Sequence, residues 1–263
     1  MFRWCAYCVR FMGERAPWDD FAPTHGICDA CLTQGRLLDP SAIARVRPVF
    51  EFHERLLAVA TRIADADSLP SGSELVATGR SLRIEPVDLL MGLIQPLLYE
   101  IGRLWEDGRL PPAVEARFSS LVDAMLEELV LDQRRRRRGE GLGPPVFLVA
   151  AAGNQHTLGI RMLGFSLRES GVDARVVTHP VDASWLTVLA RLLGATFIGI
   201  SIALPEQLRF AIEVAGHLER EKVDARLVVG GFGARRAARE GLPPRLEIHD
   251  GAVDLRGANL AER

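Results

Sequence analysis

Beyond Pro145 the chain repeats one pattern, a short apolar run followed by a longer amphipathic stretch. The apolar runs lie at 146–151, 174–178, 196–201 and 226–229, with a last one at 245–249, and the helical stretches between them lie at 157–170, 184–194, 205–221 and 233–240. Strands that are apolar along their whole length must be covered on both faces, and a helix after each strand provides that cover. This alternation therefore predicts an α/β domain with a parallel, doubly wound sheet of flavodoxin-like (Rossmann-type) form over 145–263. Ligands of such sheets sit beyond the carboxyl ends of the strands.

Upstream the periodicity is helical. Val46, Val49, Phe50, Leu56, Leu57, Ala60 and Ile63 recur largely at three and four residues, and further segments at 73–82, 86–106 and 112–133 continue the pattern with short connections. Four helices joined this way predict a bundle over 41–138. Pro96 falls inside the third helix, where it removes a backbone donor and should bend it. Five arginines at 134–138 precede a Gly- and Pro-rich linker. A solvated helix end facing its own C-terminal dipole explains such a run, and contact with nucleic acid is the other reading.

All four cysteines lie in the first 31 residues, as Cys5-x-x-Cys8 and Cys28-x-x-Cys31. A segment of about 40 residues buries too little apolar surface to hold itself together, and zinc in small zinc-finger peptides contributes about 10–16 kcal/mol. The spacing fits a tetrahedral site with four thiolates, so residues 1–40 are expected to form a zinc module, with a redox dithiol pair or an iron–sulfur site as alternatives. Trp4 to Cys8 and His25 to Cys31 resemble a small four-cysteine module found beside sensory and response-regulator domains.

The net charge of -2 gives no general attraction for nucleic acid, and no apolar run approaches the roughly 18 residues of a membrane helix. The N-terminus has charges among its apolar residues and no signal-peptide core, so a cytoplasmic protein is expected. No nucleophile with its base and no phosphate-binding loop is visible, so the chain is not expected to be an enzyme.

Three features fall at the ligand edge of the predicted sheet. The first strand runs into Asn154-Gln155-His156-Thr157-Leu158-Gly159, the third ends in Ser201-Ile202-Ala203-Leu204, and the fourth ends in Gly230-Gly231. Alone, a histidine in a loop is commonly a surface residue, and paired glycines commonly make turns. In this order and spacing they resemble the cobalamin-binding domain family, whose pattern is D-x-H-x-x-G, then S-x-L, then G-G. The resemblance implies that His156 displaces the nucleotide base of cobalamin (vitamin B12) and ligates cobalt from below. Ser201 and the Gly230-Gly231 backbone would then line the channel for the displaced tail, and the resemblance also implies that Asn154, Gly159 and Ala203 belong to the cofactor site. Asn154 stands where the family has an acid: an amide can orient the ring but cannot titrate with it.

The bundle adds a second resemblance. Trp105 and Glu115, ten residues apart, are similar to the W-x9-E-H cap of CarH/AerR-type photoreceptors and of corrinoid methyltransferase proteins. There Trp and Glu lie over the upper face, while the family's histidine is Ala116 here, so the upper face is left to water, an alkyl group or a different histidine, His53 on the first helix being one candidate. Together these resemblances imply a cobalamin-dependent sensor, responsive to light, that signals to a protein partner such as a transcription regulator and can form a homo-oligomer. A corrinoid methyl carrier is the second reading. A haem or other tetrapyrrole sensor with His156 as axial ligand is the third.

Overall fold

In the computed structural model, β1 (Phe2–Cys5) is the middle strand of a small sheet, antiparallel to β2 (Phe11–Glu14) and parallel to β3 (Pro23–Gly26). Residues 1–17, 19–61, 70–136, 143–237 and 242–249 are described. They divide into two units, one ending at Arg136 and one starting at residue 143. The arginines Arg137 and Arg138, Trp18, Ile63, the stretch 238–240 and the expected domain end at 250–263 lie outside the described residues.

In the first unit the sheet is followed by a short helix α1 (Asp29–Thr33) and by α2 (Pro40–Thr61) and α3 (Gly72–Ser81). The start of α3 is fixed chemically: the Ser71 side chain accepts from the Glu74 N–H at 3.2 Å, and the Glu74 carboxylate accepts from the Ser71 N–H at 2.7 Å. This reciprocal capping satisfies donors that a helix start leaves bare. The expected third helix is one helical run in three parts: α4 (Pro86–Leu89), a π-helical turn Leu90–Ile94, and α5 (Gln95–Glu106). Pro96 has no N–H to give to the carbonyl four residues back, and the chain meets this irregularity with a widened turn, in which the Gln95 N–H donates to the Leu90 carbonyl. The last helix, α6 (Pro112–Arg136), carries Arg134, Arg135 and Arg136 in its final turn, where Arg136 pairs with Asp132 at 3.4 Å.

The three-stranded sheet is seated on the π turn. Phe2 and Trp4 are fully buried, Phe11 lies 5.9 Å from each of their rings, and Gly92 meets them from the helix side. A Cβ on Gly92 would lie 2.5 Å from Trp4 Cζ2 and 2.9 Å from the Phe11 ring. Phe21 and Tyr99 add a second ring contact at 5.5 Å. The cysteine segment and the helices therefore share one core.

The second unit is a five-stranded parallel sheet. In chain order it contains β4 (Val146–Ala150), α7 (Leu158–Glu169), β5 (Ala174–Val177), α8 (Ala183–Leu193), β6 (Phe197–Ser201), α9 (Leu208–Arg220), β7 (Arg226–Gly230) and β8 (Leu246–Ile248). The spatial order is β5-β4-β6-β7-β8, which is the 2-1-3-4-5 order of flavodoxin-like folds. Every residue of β4 is buried, as a central strand covered on both faces requires. The expected helix at 233–240 is a correction: residues Phe232–Arg236 form a 3-10 turn, and Ala237 is extended. Gly231, at φ 99°, turns the chain sharply, and the Gly233 N–H then donates to the Ile202 carbonyl at 3.1 Å instead of starting an α-helical ladder.

Gly164 brings α7 onto the sheet, since a Cβ there would lie 2.3 Å from Val176 Cγ2. Gly164→Ala is expected to lower the stability of this unit by about 1–3 kcal/mol through overpacking. Val176→Ala in the same chain removes the clashing methyls, so a double-mutant cycle in urea should show a coupling that recovers part of the loss.

Candidate functional site

Strand register sets the site. Ala150 pairs with Ser201 and Ser201 with Gly230, so β4, β6 and β7 end level with one another. The predicted residues Asn154, His156, Ser201, Ala203, Gly230 and Gly231 all follow or close these three strands, so the sheet brings them to one edge.

The loop after β4 is tied down by its main chain and by one side chain. The Ala151 N–H donates to the Ser201 carbonyl at 3.0 Å and the Asn154 N–H to the Ala151 carbonyl at 2.9 Å, with Gly153 at φ 77° supplying the left-handed residue of the turn. Asn154, buried, then uses both ends of its amide: Nδ2 donates to the Ser201 carbonyl at 2.9 Å, and Oδ1 accepts from the His156 N–H at 2.9 Å. The expectation that this amide orients the imidazole is thus revised, because it holds the main chain of His156. It also explains why an acid is absent here. A carboxylate has no donor for the Ser201 carbonyl and would set two acceptors against each other. The His156 side chain is left exposed just ahead of α7.

The glycines at this edge differ in what surrounds them. A Cβ added at Gly153 or Gly159 would meet nothing within 4 Å, and one at Gly230 would meet only the His249 carbonyl at 3.9 Å. Gly231 is different, since a Cβ there would lie 2.5 Å from the Ile202 carbonyl and 3.2 Å from Ser201 Oγ. Gly159 and Gly230 therefore leave space at the edge, while Gly231 is demanded by the backbone itself. An exposed imidazole on a fixed loop is free to act as a metal ligand. Sequence reasoning missed Gln207, whose buried side chain accepts from the N–H groups of Ala203 and Leu204 at 2.8 and 3.1 Å and so shapes the loop after β6.

In the first unit Trp105 and Glu115 flank the α5–α6 turn. Gly108, at φ 69°, ends α5, with the Arg109 N–H donating to the Leu104 carbonyl at 2.8 Å. Ile101 and Leu104 are buried, but Trp105 remains 42% exposed, and Glu115 in the first turn of α6 accepts from Ser119 Oγ at 2.7 Å. His53 is buried on α2, and its Nε2 has no hydrogen-bond partner among the described residues. Burial lowers its pKa to about 4, against the opposing pull of Glu100.

The four cysteines are free thiols whose Sγ atoms all lie within 4.8 Å of one another. Four sulfurs about 2.3 Å from a zinc ion are about 3.8 Å apart by tetrahedral geometry, and Cys8 and Cys28 are already at 3.6 Å. Burial would raise the Cys5 thiol, but the N–H groups of Cys8, Cys28 and Tyr7 aimed at it outweigh burial and bring it down to about 6. Burial and the neighbouring thiols push Cys8 and Cys31 up. Cys5 thus forms its thiolate readily, whereas Cys8 and Cys31 need a cation to follow it.

Two predictions follow from these local environments. Asn154→Asp should cost about 1–3 kcal/mol in urea unfolding of the second unit near neutral pH, more than Asn154→Ser, because it leaves a buried acceptor facing the Ser201 carbonyl. For His53 the folded pKa lies below the ordinary 6.5, so the neutral form is favoured on folding. Its contribution is fully present above about pH 6.5 and is lost as pH falls toward 4. His53→Leu should remove up to about 2–3 kcal/mol of acid sensitivity across that window, measured as the difference in denaturation midpoints between variant and parent.

Comparison with known proteins places these features. Residues 73–129, in the bundle, match the family model described as B12 binding domain. An uncharacterized 20.5 kDa protein in the bchF-crtJ intergenic region of Rhodobacter capsulatus is 28% identical over 129 residues, which are 49% of this chain and 60% of that protein. The match thus spans about three fifths of that relative's length. The methanol:cobalamin methyltransferase complex MtaBC from Methanosarcina barkeri aligns with 16% identity and a TM-score of 0.39, covering 87% of this chain and 86% of the other. The monomethylamine corrinoid protein of Methanosarcina barkeri aligns with a TM-score of 0.57 and 14% identity, over 75% of this chain and 92% of that one, and shares its fold.

Proposed function

We propose that this chain binds cobalamin, with His156 as the lower ligand of cobalt, and serves a separate protein rather than turning over a substrate alone. The observation that carries this reading is the exposed His156 on a loop latched by Asn154 at the level ends of β4, β6 and β7. The family match in the bundle and the corrinoid-protein fold support it. When bound, cobalamin supplies a cobalt–carbon bond that light or a nucleophile can break. The residues of this chain do the rest. Asn154 fixes the loop, Gly159 and Gly230 leave room, and Ser201, Ala203 and Gly231 shape the wall for the displaced tail. Trp105 and Glu115 are proposed to meet the upper face.

Two uses of the cofactor remain distinct. A methyl carrier is the reading that the comparisons support better, since a corrinoid protein shares the fold, and its partner would be a methyltransferase. A light- or ligand-responsive sensor is favoured by Asn154, whose committed amide leaves no proton relay behind the imidazole, and by the cysteine segment built onto the bundle. Its partner would be a transcription regulator or another signalling protein. For the cysteine cluster we propose zinc, on the sulfur spacing.

Reconstitution with adenosyl-, methyl- and hydroxocobalamin, with absorption spectra in the dark and after illumination, tests the proposal. All three forms should bind, with the lower base displaced. His156→Ala should weaken binding by about 10-fold or more and restore the base-on or base-off spectrum of free cofactor. A light-driven change in hydrodynamic size favours the sensor, and dark demethylation only in the presence of a methyltransferase favours the carrier. Unchanged binding and spectra in His156→Ala would refute the assignment of the lower ligand.

A further inference from the structure

We infer that the four-cysteine centre is a metal-dependent clamp on the bundle, and that metal occupancy sets whether the π turn at Gly92 is held. The inference deepens the zinc reading above and rests on it. The cysteine segment has three strands of four residues, and β3 is only half-buried along its length, so little of its apolar surface is covered by the segment itself. Its aromatic side chains are covered instead by the helical run. Trp4 and Phe11 fill the notch that Gly92 leaves in the π turn, Phe21 meets Tyr99 of α5 at 5.5 Å, and His25 lies 6.2 Å from Phe50 of α2.

Three of these contact residues sit within three positions of a ligand. Trp4 directly precedes Cys5, Phe11 follows Cys8 by three residues, and His25 precedes Cys28 by three. The Cys28 N–H also points at Cys5 Sγ from 3.5 Å, and Val9, at φ 55°, turns the chain back behind Cys8. One ion bound by all four sulfurs therefore cross-links the two ends of the segment at the residues flanking its contacts with the helices. Without it, the four nearby sulfurs share no covalent bond, since none is in a disulfide. A group that binds the clamped form more tightly than the open one shifts the balance toward the clamp, and the clamped form holds the metal more tightly in return. Single π turns inside α-helices are rare and are found frequently at functional sites. Gly92 and Trp105 belong to one helical run.

The test uses the full chain and zinc itself. Metal content by mass spectrometry should be one zinc per chain. Stripping it with a strong chelator should raise amide hydrogen exchange roughly 10-fold at 2–14 and 86–106 and leave 146–248 unchanged, and zinc, but not magnesium, should reverse this. Gly92→Ala should show the same rise at 86–106 while still binding zinc, because it breaks the seat and spares the ligands. Loss of zinc without a change at 86–106, or unaltered exchange in Gly92→Ala, would overturn the clamp and leave the zinc site standing. A purified chain that neither holds nor takes up zinc would overturn the zinc reading and the clamp with it.

Discussion

The two hydrogen bonds of the Asn154 side chain are the hinge of the ligand edge. One end of a planar amide takes the N–H of His156, and the other gives a proton to the carbonyl that closes β6. Two consequences come from that geometry: the loop after β4 is held level with the end of its neighbour, and the imidazole is left exposed on it. Parallel pairing makes this possible, because only strands running in one direction bring the ends of β4, β6 and β7 to the same side. The glycines then divide into two kinds. Gly231 is required by the Ile202 carbonyl beneath it, whereas Gly159 and Gly230 have free space over them.

Much of the second unit was legible before any coordinates. A fully apolar strand followed by an amphipathic helix admits few architectures, and the strand order found is the flavodoxin-like one expected. The bundle helices also fall close to their expected spans, since Leu, Val and Phe at helical spacing mark a buried stripe whatever they pack against. What failed was local detail set by tertiary contacts. The stretch after Gly231 has helix-forming residues, yet a single bond from Gly233 to Ile202 diverts it. Pro96 announced an irregularity without saying that it would be a π turn, because that outcome depends on Trp4 and Phe11 arriving from about 80 residues away.

The candidate site was legible in its parts and less so in its wiring. His156, Ser201 and Gly230-Gly231 were visible from spacing at strand ends, and Cys5, Cys8, Cys28 and Cys31 from spacing alone. Gln207 was invisible, since a glutamine at the start of a helix is ordinary until its carbonyl is seen to hold two main-chain N–H groups. The role of Asn154 was misassigned for a similar reason: sequence shows an amide two residues from a histidine, and only geometry shows that it bonds the main chain. His53 is a buried imidazole whose Nε2 has no hydrogen-bond partner among the described residues, and what the structure adds is the cost of charging it.

The central claim is that His156 ligates cobalt, and electron paramagnetic resonance of the reduced, cobalt(II) form reads that bond directly. Protein grown with histidine enriched in the heavy nitrogen isotope and loaded with cobalamin of natural isotopic content should show cobalt lines split by the heavy isotope, as doublets rather than triplets. Triplets unchanged by the label would place the cofactor's own base, and not His156, on the metal and would contradict the account.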